Sequence, residues 1–154
     1  MRIALICVGK LGRGPEATLA LDYAQRASAA GRVLGLAPVE IVEVEARKPG
    51  RAAEAEAVLA RSGGARLVAC DEHGASFASR AFAARLAALR DEGVRDLAFI
   101  VGGADGLGDS ALAAASERIA FGPQTWPHAL ARVMLAEQVY RAISILAGLP
   151  YHRD

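Results

Sequence analysis

Tyr151, His152 and Arg153 set a phenol, an imidazole and a fixed cation side by side on a short tether behind Pro150. Such a trio can stack on a nucleobase, move a proton and hold a phosphate or an anionic ring. A plain surface tail has the same composition, and the two readings stand together at this level. His128 follows Pro127, a residue favoured at a helix N-terminus. In the first helical turn the dipole disfavours the protonated ring, leaving it neutral to accept a proton or orient a ligand. A satisfied structural histidine accounts for it equally. Arg132, Glu137 and Arg141 interrupt an otherwise apolar stretch. Glu137 and Arg141, four apart, can pair along one helix face, as buried charges require. Leu130, Val133, Met134, Val139, Ile143 and Leu146 read as core or dimer seam.

Two segments have the character of binding loops. In Gly102-Gly103-Ala104-Asp105-Gly106 the glycines let a ligand approach the backbone closely, or simply make a tight strand-to-helix turn. The run does not fit G-x-G-x-x-G, and no G-x-x-x-x-G-K-[ST] occurs, since Gly9-Lys10 leads into leucine. Phe121-Gly122-Pro123-Gln124-Thr125-Trp126-Pro127 offers few charged groups. Its backbone N–H and C=O groups would read an adenine edge and hold a ribose by shape, with Pro123 and Pro127 stiffening it. An ordinary loop before a helix is the competing reading. Cys7 and Cys70 sit far apart in apolar runs and read as buried small hydrophobes rather than a disulfide or a metal pair.

The elements that must position these groups alternate. Strands are predicted over Ile3–Val8, Val39–Val44, Arg66–Asp71, Asp96–Val101 and Glu117–Phe121. Helices are predicted from Pro15 to Ala30, from about Gly50 to Ser62, from about Ser76 to Asp91, over Ser110 to Ala115, and from Pro127 to Gly148, with Glu72-His73-Gly74 as a turn. This order predicts one α/β domain over residues 1–154, a mainly parallel sheet with helices on both faces. Ligands in such sheets bind at the C-terminal strand ends, so the loops after strands one, three and four belong to one candidate site.

Composition bounds the function classes. The 154 residues are 53% hydrophobic and 23% charged, with a formal net charge of +1, a globular balance that neither advertises nor excludes nucleic-acid binding. Lys10 and Lys48 are the only lysines beside a set of arginines whose planar fork suits phosphates and carboxylates. No segment approaches the ~20 apolar residues of a membrane span, and Met1-Arg2 leads straight into a strand without a signal-peptide pattern, so a cytoplasmic protein is expected.

Taken in order, Gly9-Lys10, Cys70-Asp71 with Gly74, Ile100-Val101-Gly102-Gly103-x-x-Gly106, Thr125-x-Pro127-His128-x-Leu130-x-Arg132-Val133, Glu137-Gln138-x-Tyr140-Arg141-Ala142 and Pro150-Tyr151-His152-Arg153 resemble the RlmH family. These are ribosomal RNA methyltransferases of the SPOUT (α/β-knot) superfamily. The resemblance spans the chain, weak in the first sixty residues and dense after Val101. It implies an S-adenosylmethionine-dependent enzyme that methylates N3 of a pseudouridine in helix 69 of 23S rRNA, at position 1915 in conventional rRNA numbering, on the assembled ribosome. It also implies a homodimer, a C-terminal trefoil knot and no metal. Carried over by position, Cys70, Gly102, Phe121, Gly122, Pro123, Gln124, Thr125 and Trp126 form the cofactor pocket, and Tyr151, His152 and Arg153 face the target base across the dimer interface. Arg153 would then stabilise the ring anion while His152 or His128 takes the proton. The sequence departs from the family pattern at Cys70, at Ala104-Asp105 and at Phe121-Gly122. Two other classes compete: a non-catalytic knotted RNA- or ribosome-binding module, and a flavodoxin-like nucleotide-binding protein, which the missing phosphate loop disfavours.

Overall fold

The computed structural model describes residues 1–153. Five strands, β1 (Arg2–Val8), β2 (Val39–Val44), β3 (Arg66–Ser76), β4 (Asp96–Val101) and β5 (Glu117–Ala120), form one sheet in the order β2-β1-β4-β3-β5. All four neighbouring pairs are parallel. The helices are α1 (Pro15–Gly31), α2 (Arg51–Ser62), α3 (Ser79–Asp91), α4 (Asp109–Ala114) and α5 (His128–Leu146), and a 3-10 turn spans Arg32–Leu34.

The two central strands explain the layering. Ile3, Leu5 and Cys7 of β1 and Leu97, Phe99 and Val101 of β4 enter one core with α1, α3 and α5. Ile6, Val8, Ala98 and Ile100 enter the opposite core with α2 and α4. Alternate side chains thus bury in both layers, which is why these strands read as unbroken apolar runs. Cys7 is buried and Cys70 half-buried, and both are free thiols. No helix of the described residues is long and apolar enough to cross a membrane.

One expected boundary moves. Glu72-His73-Gly74 is not a closing turn: β3 runs on to Ser76 and α3 starts at Ser79. The strand bulges between Cys70 and Ala75, then resumes pairing with Ile119 and Ala120 of β5. Asp71 shapes the bulge by accepting the His73 backbone N–H at 2.9 Å. Gly74 then crosses β5 so closely that a Cβ would lie 2.6 Å from the Ile119 nitrogen. Sequence periodicity registers no bulge, because the residues within it are polar like those of a turn.

Candidate cofactor pocket and C-terminal tail

At the C-terminal edge of the sheet a cavity of about 620 Å³ opens between the β3 bulge, the loop after β4, the loop after β5 and the first turn of α5. This is the size range of small-molecule sites. Cys70, Gly102, Phe121, Gly122, Gln124, Thr125 and Trp126 all line it, together with His128. Pro123 belongs to the same loop but does not line the cavity.

The loop after β4 is shaped by its glycines. Gly106 adopts a φ of 79° and donates its N–H to the Gly103 carbonyl at 3.1 Å, closing a tight reversal. A Cβ on Gly102 would come within 2.6 Å of the Gly106 carbonyl oxygen and of the Leu107 nitrogen, so the reversal excludes any side chain there. In the loop after β5, Gly122 takes a φ of 103°. Trp126 donates its indole N–H to the Phe121 carbonyl at 3.3 Å, and the Thr125 hydroxyl donates to the Glu72 carboxylate at 3.0 Å. The last bond ties the loop to the β3 bulge across the mouth of the cavity.

The lining contains no lysine or arginine, whereas Asp71, Glu72 and Asp105 contribute three carboxylates. Such a site repels phosphates and favours a cation. Sequence reading placed these acids in the loops of the candidate site without giving them a role, and did not name Ala131, which also lines the cavity; the available signal was the carboxylate pair Asp71-Glu72 at the end of a predicted strand. Burial pushes the Cys70 thiol well above its usual range, so it lines the site as an apolar, unreactive group. Among the described residues, no three His, Cys, Asp or Glu side chains gather to hold a metal ion.

Below the cavity, Arg132 is 1% exposed and its guanidinium donates to the Val8 carbonyl and, at 2.9 Å, to the Gly9 carbonyl, with Glu43 at 3.4 Å. It thereby locks the loop after β1 against α5. Further along, Arg141 donates to Glu137 at 2.9 Å from Nε, the pairing expected from their spacing.

The tail lies apart from the cavity of its own chain. Helix α5 ends in a Schellman motif: Leu149 N–H donates to the Ser144 carbonyl at 2.9 Å and Gly148 N–H to the Ile145 carbonyl at 3.1 Å, with Gly148 left-handed at φ 66°. The reversal sends Tyr151 back along the helix. Its hydroxyl donates to Glu137 at 2.9 Å and meets the Tyr23 hydroxyl at 3.4 Å. Its ring packs 4.6 Å from that of Tyr140, and the Arg141 guanidinium stacks over it at 4.9 Å. His152 Nδ1 approaches Arg141 at 3.3 Å, and Arg153 is exposed. Burial, then the bonds to Tyr23 and Glu137, push the Tyr151 phenol above its ordinary value, so it stays neutral. Ala131 is the α5 residue furthest along the helix that lines the cavity, and Glu137 is six residues beyond it, which at ~1.5 Å per residue puts the tail anchor roughly 9 Å along the helix from the cavity. Between them runs a second cavity of about 460 Å³ under α1, α3 and α5, whose walls include Tyr23, Phe77, Met134 and Glu137.

Comparison with known proteins agrees with this geometry. The family described as "Predicted SPOUT methyltransferase" matches residues 1–152. Ribosomal RNA large subunit methyltransferase H of Caulobacter sp. (strain K31) is 66% identical over 154 residues, covering 100% of both chains. The protein of that name from Phenylobacterium zucineum (strain HLK1) is 62% identical, again over 100% of both. Among solved structures, the crystal structure of a "Probable Methyltransferase" from Bordetella pertussis Tohama I shares the fold, with a TM-score of 0.52 and 18% identity over 92% of this chain and 96% of that one.

Proposed function

The chain belongs to the SPOUT methyltransferases, within the ribosomal RNA large subunit methyltransferase H family, and from that premise we propose that it methylates N3 of a pseudouridine in helix 69 of 23S rRNA. The methyl donor in this reading is S-adenosylmethionine. The observation that carries it is the charge of the cavity: about 620 Å³, walled by glycine backbone and three carboxylates, without a lysine or arginine. A nucleoside bearing a sulfonium cation fits such a site, and a nucleotide bearing phosphates does not. This contrast also disfavours the flavodoxin-like reading.

Bound there, the cofactor would supply an electrophilic methyl carbon. The backbone of residues 121–126 would hold its adenine and ribose, with Trp126 and Thr125 fixed by their bonds to Phe121 and Glu72. The enzyme must then align N3 with the methyl and assist loss of its proton. His152 or His128 would accept the N3–H proton, leaving the nitrogen pair free to take the methyl that the cofactor would supply. Arg153, exposed and unburdened by a carboxylate among the described residues, stabilises the negative charge spread over the ring. Tyr151 remains a neutral phenol, so its part is to stack and to hold the tail rather than to take the proton.

In this reading the working unit is a homodimer with a knotted C-terminus. The anchoring of Tyr151 to Glu137 and Tyr23, neither of which lines the cavity, supports action of the tail on the partner's site. Apolar side chains left exposed on the wall of the second cavity, Leu19 at 45% and Phe77 at 41%, support a seam between two copies. A ribosomal substrate places the enzyme in the cytoplasm.

Mass mapping of helix 69 from a strain lacking this protein is expected to show loss of one methyl group on the pseudouridine, restored by the wild-type gene. An unchanged methylation pattern would exclude the reading. Arg153→Ala is expected to lower single-turnover rates on ribosomes by well over tenfold, with calorimetric S-adenosylmethionine binding nearly intact; an unchanged rate removes Arg153 from the chemistry. Saturable cofactor binding without transfer to any ribosomal substrate would favour the non-catalytic module instead.

A further inference from the structure

The loops after β1 and β2 carry a charge that the methyl-transfer chemistry does not use. Residues 9–15 contain Lys10 and Arg13, and residues 45–51 contain Arg47, Lys48 and Arg51 against a single carboxylate, Glu45. The chain as a whole has a formal net charge of only +1, so these two loops hold its cationic surplus and the remainder is net acidic. Both lysines of the protein are here. Lys10, Arg13, Arg47, Lys48 and Arg51 are all exposed. Among the described residues no carboxylate pairs with Arg13, Arg47 or Lys48. Lys10 pairs with Glu45 at 2.6 Å, but both side chains are at least 60% exposed, so a phosphate displaces that partner at little cost.

The position of the patch is as informative as its charge. All strands run parallel, so the loops after β1 and β2 emerge on the edge where the cofactor cavity opens. Gly9 N–H donates to the Val44 carbonyl at 2.8 Å, joining the two loops. They are tied to the cavity wall at two points. Arg51 donates to the Leu107 carbonyl at 2.7 Å, and Leu107 lines the cavity. Arg132, which anchors Gly9, adjoins Ala131 on the same wall. Two acids near the patch are engaged elsewhere: Glu43 accepts the Leu11 N–H at 2.9 Å and faces Arg132, and Asp109 lies 3.5 Å from Arg51, while the Glu16 carboxylate sits beside Gly14 in the first turn of α1. Glu54, 3.2 Å from where a Gly103 Cβ would stand, is turned toward the glycine loop.

We infer that this cationic shelf of Lys10, Arg13, Arg47 and Lys48 is a docking surface for the sugar–phosphate backbone of RNA, gripping the strand that flanks the target nucleotide. The inference rests on the proposed rRNA substrate and adds to it a surface remote from the tail. It divides the labour: the acidic cavity repels phosphates while the shelf beside it attracts them, so the backbone is held outside the cavity and only a base is offered to the methyl. Binding through phosphates carries no sequence information, and base choice stays with the cavity and tail.

The test uses the full-length protein carrying Arg13→Gln, Arg47→Gln and Lys48→Gln together. Large subunits and intact ribosomes from a strain lacking this protein serve as probes, between roughly 50 and 200 mM KCl. The variant is expected to bind the better of these two substrates about tenfold or more weakly, with a salt dependence of log affinity shallower by about two, at roughly 0.7 per lost contact. KM for that substrate should rise while kcat and calorimetric cofactor affinity stay at wild-type values, the latter establishing that the variant folds. Unchanged affinity and salt slope, with the wild type active, overturn the shelf and leave the enzymatic reading standing. A wild type that binds ribosomes but transfers no methyl sinks the enzymatic reading, while the salt slope still decides the shelf. If the variant loses ribosomes but binds protein-free 23S rRNA like the wild type, the shelf grips a ribosomal protein and the RNA assignment is overturned.

Discussion

Gly102 has no room for even a methyl group. A Cβ there would stand 2.6 Å from both the Gly106 oxygen and the Leu107 nitrogen, atoms of the same tight reversal that walls the cofactor cavity. Backbone cannot retreat as a flexible side chain can, so Gly102→Ala must open the reversal. S-adenosylmethionine affinity is expected to fall by about tenfold or more in calorimetry, with the protein still folded by circular dichroism. Wild-type affinity would mean the cofactor ignores this wall. Residues of this kind were legible in the sequence because glycine's requirement is carried by its own type. Thr125 was legible only in part: its hydroxyl spans to Glu72, 53 positions away, and that partner becomes a neighbour only through the β3 bulge. Asp71, Glu72 and Asp105 were legible as parts of loops that meet at one site, but the charge they set together was not, since it depends on which side chains face the cavity.

At the level of elements, β1 and β4 were legible as strands, and α5 as a long helix ending at Gly148. The extension of β3 did not, because it depends on pairing with β5, a contact no local period encodes. That edge strand is short, and its attachment has an electrostatic component. Glu117 accepts from Arg85 at 3.1 Å through Nε, and Arg66 lies 3.8 Å away. The hydrogen bond and charge of Arg85, with help from Arg66, hold the Glu117 carboxyl below its ordinary 4.5, outweighing its partial burial. A carboxyl depressed on folding adds stability that is complete above its unfolded value and is lost as pH falls through the folded one. Glu117→Gln is therefore expected to destabilise the protein by about 1 kcal/mol at pH 7 and progressively less below about pH 4.5. Denaturant titrations across that range read it directly. A deficit independent of pH would mean that packing of β5, not the ion pair, is what the substitution damages.

At the scale of the whole molecule the central question is which tail serves which cavity. Within one chain, Tyr151 is pinned to Glu137 and Tyr23. The Schellman reversal at Gly148 fixes the direction in which the last residues leave α5. The same cluster includes the Arg26 guanidinium, stacked 4.6 Å over Tyr140 and 5.7 Å over Tyr151, and it holds Tyr151 off the lining of its own chain's cavity. We propose that a second copy, laid along the exposed apolar side chains of the first, brings the tail to a partner's cavity. Arg153→Ala and Gly102→Ala then injure different halves of one composite site. Assayed at a cofactor concentration well below the Gly102→Ala Kd, each homodimer is expected to be strongly impaired, but mixing the two after partial denaturation and reassembly produces heterodimers with one intact cavity facing one intact tail. Random pairing makes half of the dimers heterodimers with one working site in two, so activity is expected to recover to about a quarter of the wild-type rate per protomer. Recovery appears only if the tail acts across the dimer; a tail serving its own cavity leaves every protomer with one broken half, and the mixture stays as inactive as its parents.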